Sequence, residues 1–162
     1  IITTVDLTLP DQVENLELGG LNNLTGSGNG QNNVITGNNG NNVINGGGGD
    51  DSLIGSNGAD TLIGDTGADR FIFRDTLQSS TTIFDTITDF VVGQDKLVFE
   101  GLGNGTFSIV SNFTNTGDAQ ATWDSATNIL MVDSDGNGAA DMKLVLVAST
   151  SDALSASDFQ WT

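Results

Sequence analysis

Cysteine, histidine and tyrosine are all absent from the 162 residues. Without cysteine or histidine there are no thiolate or imidazole metal sites, no cysteine nucleophile, and no Ser-His or Cys-His catalytic arrangement. A zinc-peptidase HExxH motif is excluded on the same ground. Basic residues number four, Arg70, Arg74, Lys96 and Lys143. They are too few and too scattered to form the basic patch that phosphate binding needs, which argues against nucleic acid as a partner. No apolar run approaches the ~18 residues of a membrane span, and no basic segment followed by an apolar one marks an N-terminal signal peptide. The abrupt start at Ile1 reads as a fragment of something longer.

Acid is abundant instead. Eighteen Asp and three Glu leave a formal charge of -17, so the bare chain repels itself and a cation is missing from the sequence. Short carboxylates suit tight loops that hold a metal, whereas solvated helix faces usually favour Glu. With nitrogen and sulfur ligands excluded, a hard, oxygen-loving cation is favoured over a soft one. The length allows one ordinary domain or two small ones, and an apolar content of 36% supports a core in an economical fold.

From Gly37 to Phe73 the chain repeats every nine residues as GNNGNNVIN, GGGGDDSLI, GSNGADTLI and GDTGADRFI. The eighth position is always large and apolar (Ile44, Leu53, Leu62, Phe71), and the sixth is Asn42, Asp51, Asp60 or Asp69. One such unit cannot bury its single apolar side chain alone, so successive units must stack. Two units per turn place residues eighteen apart above one another: Asp51 with Asp69 and Asn33, and Asp60 with Asn42. Carboxylates a strand spacing of ~4.8 Å apart repel unless a cation lies between them. Glycine permits the tight bends and lets carbonyl oxygens point inward. A disordered Gly/Asn-rich linker does not keep an apolar residue at every ninth position. A metal-free, Asn-laddered coil is an alternative that fits residues 22 to 45 and fits 46 to 70 poorly. Ahead of the repeat, Val5, Leu7 and Leu9 alternate with polar residues, and two short strands are expected around Pro10. The step of eleven from Leu24 to Ile35 places an irregular turn with about two extra residues at the entrance.

These units resemble the repeats-in-toxin pattern GGxGxDxUx, a calcium-binding repeat. The resemblance implies an all-β fold, a right-handed parallel β-roll (β-helix) of nonapeptide repeats followed by a β-sandwich-like C-terminal cap. It divides the chain into entrance strands (1–24), the roll (25–73) and the cap (74–162). In this family each calcium lies between two turns and takes the sixth-position side chain plus main-chain carbonyls. The matching positions are Asn38, Gly40 and Asn42; Gly46, Gly47, Gly48, Gly49 and Asp51; Gly55, Ser56, Gly58 and Asp60; and Asp65, Gly67 and Asp69. Asn33 and Asn42 depart from the pattern, which has Asp there. The stretch Phe84 to Phe99 resembles the segment after the repeats of serralysin-type proteases and mannuronan epimerase modules, and this carries the closing calcium ligands onto Asp85 and Asp95. Gln78 stands where those proteases often have an acid, and Asp89 reads equally well as a turn carboxylate capping main-chain amides.

Further on, Thr122 to Val147 reads as two or three strands around one polar loop. Asp133, Asp135, Asn137 and Asp141 occupy positions 1, 3, 5 and 9 of that loop, alternate oxygen ligands on a chain bent at Gly136 and Gly138. Position 12 is Leu144 in place of the EF-hand Glu, so a strand-loop-strand calcium site or a solvated hairpin turn is expected. The end of the chain, with Asp158, Phe159 and Trp161, resembles C-terminal type I secretion signals, or forms a last edge strand. Together the resemblance implies a calcium-binding, calcium-folded, non-catalytic C-terminal module of a larger secreted bacterial protein. Its partners would be several Ca2+ ions, preceding domains of the same polypeptide and the type I secretion machinery. A polysaccharide-binding or adhesin module is the alternative. Extracellular or cell-surface localisation follows in either case.

Overall fold

The computed structural model describes residues 1–102, 106–148 and 153–162. Strands dominate: β1 (Ile2–Thr3), β2 (Leu7–Thr8), β3 (Asn15–Leu18), β4 (Thr25–Ser27), β5 (Val34–Thr36), β6 (Val43–Gly48), β7 (Ser52–Ile54), β8 (Thr61–Thr66) and β9 (Arg70–Phe73) form the coiled part. They are followed by β10 (Asp85–Phe90), β11 (Lys96–Phe99), β12 (Ser108–Ile109), β13 (Gln120–Asp124), β14 (Ile129–Asp133), β15 (Met142–Ala148) and β16 (Phe159–Trp161). Odd and even members of the first eleven fall into different sheets. One sheet runs β1-β3-β5-β7-β9-β11-β16 and the other β12-β13-β14-β15-β10-β8-β6-β4-β2. This is the two-layer parallel coil that an apolar side chain every nine residues demands: each unit supplies one strand to one layer, and the next unit supplies the other. Among the described residues, no helix is long and apolar enough to cross a membrane.

Register makes the inner ladders explicit. In one sheet Leu16 pairs with Ile35, Ile35 with Leu53, Leu53 with Phe71, Phe71 with Leu97 and Leu97 with Phe159. In the other the line is Leu7, Gly26, Ile44, Leu62, Ile87 and Leu146. Ile35, Ile44, Leu53, Leu62, Phe71, Ile87 and Leu97 are each 0% exposed, and burial of such side chains stabilises by about 1.5–3 kcal/mol apiece.

The entrance differs from the expected turn with two extra residues after Leu24. Gly26, not Leu24, stands on the ladder, and the pairs Leu7–Gly26 and Leu16–Ile35 are offset by nineteen where later pairs are offset by eighteen. One extra residue therefore lies between Leu16 and Gly26. A ladder needs a backbone position rather than a large side chain. Leucines fill the space at Gly26, where a Cβ would meet Leu16 Cδ2 at 3.1 Å and Leu18 Cδ2 at 3.2 Å. Parallel pairing is already established at β1 with β3 and β2 with β4.

After Phe73 the step lengthens, because residues 74–84 carry a 3-10 turn at Thr76–Ser79 whose first amides are met by Asp75: Leu77 N donates to Asp75 Oδ1 at 2.9 Å. The C-terminal strands then join the same two sheets, β16 in parallel with β11 and β15 in parallel with β10. The expected sandwich-like cap is thus no separate pair of sheets but a continuation of both roll layers. Its antiparallel part is β13-β14-β15. Aromatic packing closes this end, with Phe99 and Trp161 centroids 4.8 Å apart and Phe107 and Phe159 4.7 Å apart.

Candidate metal centre

The sixth-position residues form two columns, one on each edge of the roll. Within a column each carboxylate accepts from a backbone amide of the coil before it. Along one edge Asn33 N donates to Asp51 Oδ1 (2.6 Å), Asp51 N to Asp69 Oδ1 (2.9 Å) and Asp69 N to Asp95 Oδ1 (3.0 Å). Along the other, Asn42 N donates to Asp60 Oδ1 (2.7 Å) and Asp60 N to Asp85 Oδ1 (2.8 Å). The stack foreseen from the eighteen-residue spacing is therefore a chain of carboxylate-to-amide bonds. Asp85 and Asp95, from beyond the repeat, occupy the last place of each column.

Asp95 commits both oxygens, the second to Val91 N at 2.8 Å, whereas three of the other carboxylates commit only one. Asp51 Oδ2, Asp60 Oδ2 and Asp85 Oδ2 are buried and make no hydrogen bond. The first glycine of each unit makes room for that oxygen. A Cβ on Gly55 would lie 2.5 Å from Asp60 Oδ2, and one on Gly46 or Gly64 would fall on Asp51 Oδ2 or Asp69 Oδ2. Other glycines admit carbonyls of the neighbouring coil: a Cβ on Gly40 would lie 2.5 Å from Asn22 O. Gly47, Gly49, Gly58 and Gly67 hold positive φ, as do Ser56 (71°) and Asp65 (65°). Ser56 Oγ donates to Gly37 O at 3.1 Å, and Gly48 N donates to Asn29 O at 2.9 Å.

Burial sets the electrostatics. Loss of solvent is the leading cause that pushes Asp51 up to about 6, Asp60 and Asp69 to about 7 and Asp85 to about 8, against the opposing pull of backbone amides. Burial raises Asp95 as well. A buried carboxylate with a bare oxygen must take up a proton or face a cation. The donor set is all oxygen, it is lined by glycine where a side chain would block it, and it contains no nitrogen or sulfur ligand. It fits a hard divalent cation such as calcium.

At the N-terminal end the chemistry changes. Asn38 Oδ1 accepts from Gly40 N (2.7 Å) and from Asn42 Nδ2 (3.1 Å), while Asn38 Nδ2 donates to Gly19 O (3.1 Å) and Asn22 O (3.0 Å). At the far end Asp89, half-buried, accepts from Gly64 N (3.0 Å) and Asp65 N (2.7 Å), which is the amide-capping role. Gln94 Nε2 donates to Gly67 O, and Gln78 Oε1 accepts from Arg74 N. Asn29 and Gln94 were not singled out by the sequence reading. For Asn29 a signal existed: the units from Gly28 and Gly37 share G-N-x-x-x-N, with Asn at positions two and six together.

Asp133, Asp135 and Asp141 meet in the turn between β14 and β15, with carboxylate oxygens within 4.8 Å of one another. The loop is strand-flanked, as expected. Asp133, fully buried, accepts from Gly136 N (2.8 Å), Asn137 N (3.2 Å) and Gly138 N (2.8 Å). Asn137 donates to Asp135 from both nitrogens at 3.0 Å, and Asp141 Oδ2 accepts from Ser134 N and Oγ at 2.8 and 2.6 Å. Gly136 and Gly138 have φ of 69° and 89°.

The model of the family described as Peptidase M10 serralysin C terminal matches residues 11–160. No curated protein sequence matches the chain. In the solved structures the chain is similar to the AlgE6R3 subunit from the Azotobacter vinelandii mannuronan C5-epimerase, known in solution. The TM-score is 0.55 and the identity 26%, over 96% of this chain and 77% of that one. With a nine-residue repeat, two carboxylate columns and a family model covering nearly its whole length, the chain belongs to the serralysin C-terminal family of the M10 peptidases.

Proposed function

We propose that this repeat module binds several calcium ions between its coils and folds on binding them. The supporting observation is the trio of buried, unbonded oxygens on Asp51, Asp60 and Asp85, the first two set directly against Gly46 and Gly55, where a side chain would block them. Asp51, Asp69 and Asp95 serve one edge and Asp60 and Asp85 the other, with carbonyls of the Gly46–Gly49, Gly55–Gly58 and Asp65–Gly67 loops as further ligands. The loop of Asp133, Asp135, Asn137 and Asp141 is a second, independent candidate, since three carboxylates converge there on alternate positions of one tight turn.

Glycine-rich turns lose about 1–2 kcal/mol of backbone entropy per residue on ordering, and the columns add buried charge. Calcium that binds only the folded chain supplies the compensating free energy. External calcium modules bind at ~0.1–1 mM, so the coil stays open in calcium-poor cytosol and closes in calcium-rich medium. In this reading the module is the non-catalytic C-terminal part of a larger secreted protein, follows the type I route and helps export by folding outside. A chain without histidine leaves any HExxH zinc-peptidase activity to other parts of the polypeptide.

Circular dichroism during calcium titration and chelation tests this. The β spectrum is expected to appear with calcium and vanish with chelator, and a full spectrum in chelator refutes folding on binding. Anomalous diffraction peaks would count the ions. A second reading, a polysaccharide-binding or adhesin module, is favoured by Arg70 and Lys96, which pair directly across strands β9 and β11 and alternate with inward Phe71 and Leu97. Calcium-dependent retention on alginate tests it.

A further inference from the structure

Two sets of asparagines at the N-terminal end repeat one arrangement. Asn29 Nδ2 donates to Pro10 O and Val13 O, both at 2.9 Å. Nine residues on, Asn38 Nδ2 donates to Gly19 O and Asn22 O at 3.1 and 3.0 Å. Every member of the second set is the ninth residue after its counterpart, so the two sets lie on opposite edges of the roll. In each, the sixth-position amide donates to the position-two oxygen: Asn33 Nδ2 to Asn29 Oδ1 at 3.3 Å, and Asn42 Nδ2 to Asn38 Oδ1 at 3.1 Å.

The direction of these amides follows from the backbone. Gln31 N donates to Asn29 Oδ1 (2.9 Å), Asn29 N to Asn33 Oδ1 (2.8 Å), Gly40 N to Asn38 Oδ1 (2.7 Å) and Asn38 N to Asn42 Oδ1 (2.8 Å). A backbone N–H needs an oxygen opposite it, and reversing any of these side chains would set donor against donor. The NH2 groups are therefore held toward converging carbonyl oxygens, where two protons do what a positive ion does for the same lone pairs. In the following coils position two is Gly47, Ser56 or Asp65 and position six is Asp51, Asp60 or Asp69, so no amide is available.

We infer that the side-chain amides of Asn29 with Asn33, and of Asn38 with Asn42, replace the cation at the first coil-to-coil interface, giving the roll one metal-independent interface at its N-terminal end. This rests on calcium binding between the later coils. It separates G-N-x-x-x-N units, which are closed by hydrogen bonds, from G-x-x-x-x-D units, which are closed by ions. Gln94, donating to Gly67 O, places an amide against a loop carbonyl at the other end as well.

Two measurements on the full chain decide the matter. In the calcium-loaded wild type, NMR is expected to find the Asn38 and Asn42 side-chain NH2 protons exchanging at least about tenfold more slowly than those of exposed Asn112. An asparagine that ligates an ion turns its oxygen inward and its NH2 outward, so exchange as fast as that of Asn112 overturns the inference. Native mass spectrometry then counts ions at saturating calcium. Asn38→Ala is expected to bind as many as the wild type, whereas Asp60→Ala binds fewer. Loss of one ion in Asn38→Ala overturns the inference. A wild type that binds no calcium overturns instead the calcium reading on which it rests. Should Asn38→Ala fail to fold, the wild-type exchange result stands alone as the deciding measurement.

Discussion

Asp60→Ala is the most direct perturbation of the proposed calcium dependence. Asp60 is 1% exposed; one oxygen accepts from Asn42 N at 2.7 Å and the other is buried without a partner. Truncation removes a hydrogen bond to a charged group, worth about 1.5–3 kcal/mol, before any ion contact is counted. That corresponds to an about 10- to 150-fold change in an equilibrium constant. If three ions enter in one cooperative folding step, the shift is shared among them, and the calcium midpoint rises about two- to fivefold. The matched control is Asp118→Ala, half-buried and outside both columns, where Thr106 N donates to the carboxylate at 3.2 Å. Calcium titrations followed by circular dichroism at fixed pH give both midpoints. Equal midpoints for the two variants would refute the assignment of Asp60 to a cation site.

Glycine substitutions probe the same space sterically. Gly55→Ala brings a Cβ to 2.5 Å from Asp60 Oδ2, whereas nothing lies within 4 Å of a Cβ on Gly30. The first is expected to cost about 1–3 kcal/mol and raise the calcium midpoint; the second is expected to leave the midpoint unchanged, and parity between them sinks the cradle argument. For pH, Asp51, Asp60, Asp69 and Asp85 hold protons more tightly in the folded metal-free chain than when unfolded, with values of about 6 to 8 against 3.8. Their contribution to metal-free stability is therefore full below about pH 3.8 and is lost as pH rises to about 8. In chelator more residual β signal is expected at pH 5 than at pH 8; a chelator signal that rises with pH contradicts this. Asp135→Ala is expected to remove one ion from the native mass spectrum without moving the folding midpoint of the roll. An unchanged ion count would leave the Asp133 loop as a hairpin turn.

Periodicity carried most of this architecture in the sequence, since the eighth-position residues Ile35 to Phe71 are the ladder residues and the sixth-position carboxylates form the columns. The entrance was misread because periodicity looks for large side chains. Gly26 occupies its ladder place with no side chain, and Leu16 and Leu18 fill the space from neighbouring positions. The cap was only partly legible for a related reason. Parallel pairing of β15 with β10 and of β16 with β11 joins segments distant in the chain, and no local pattern encodes such contacts. Asn33 and Asn42 were legible as departures from the aspartate pattern. A hydrogen-bonded ladder was legible as the alternative for residues 22 to 45, but its acceptors were not, because the carbonyls of residues 19 and 22 carry no side-chain signature.

The two columns can be viewed as polymers with a head and a tail. Each carboxylate closes the amide of the preceding coil and leaves its own amide for the next, so growth has a polarity and needs a terminator. Asp85 and Asp95 terminate it, because their own amides are closed locally, Asp85 N on Ser79 Oγ at 2.8 Å and Asp95 N on Val91 O at 2.9 Å. Insertion of a whole eighteen-residue coil lengthens both columns and keeps each terminator on its own edge. An odd nine-residue insertion would still leave the terminators 25 and 26 residues beyond the last two carboxylates, and would exchange only the edges they share with the N-terminal asparagines. Each column therefore lengthens only between a fixed start and its terminator.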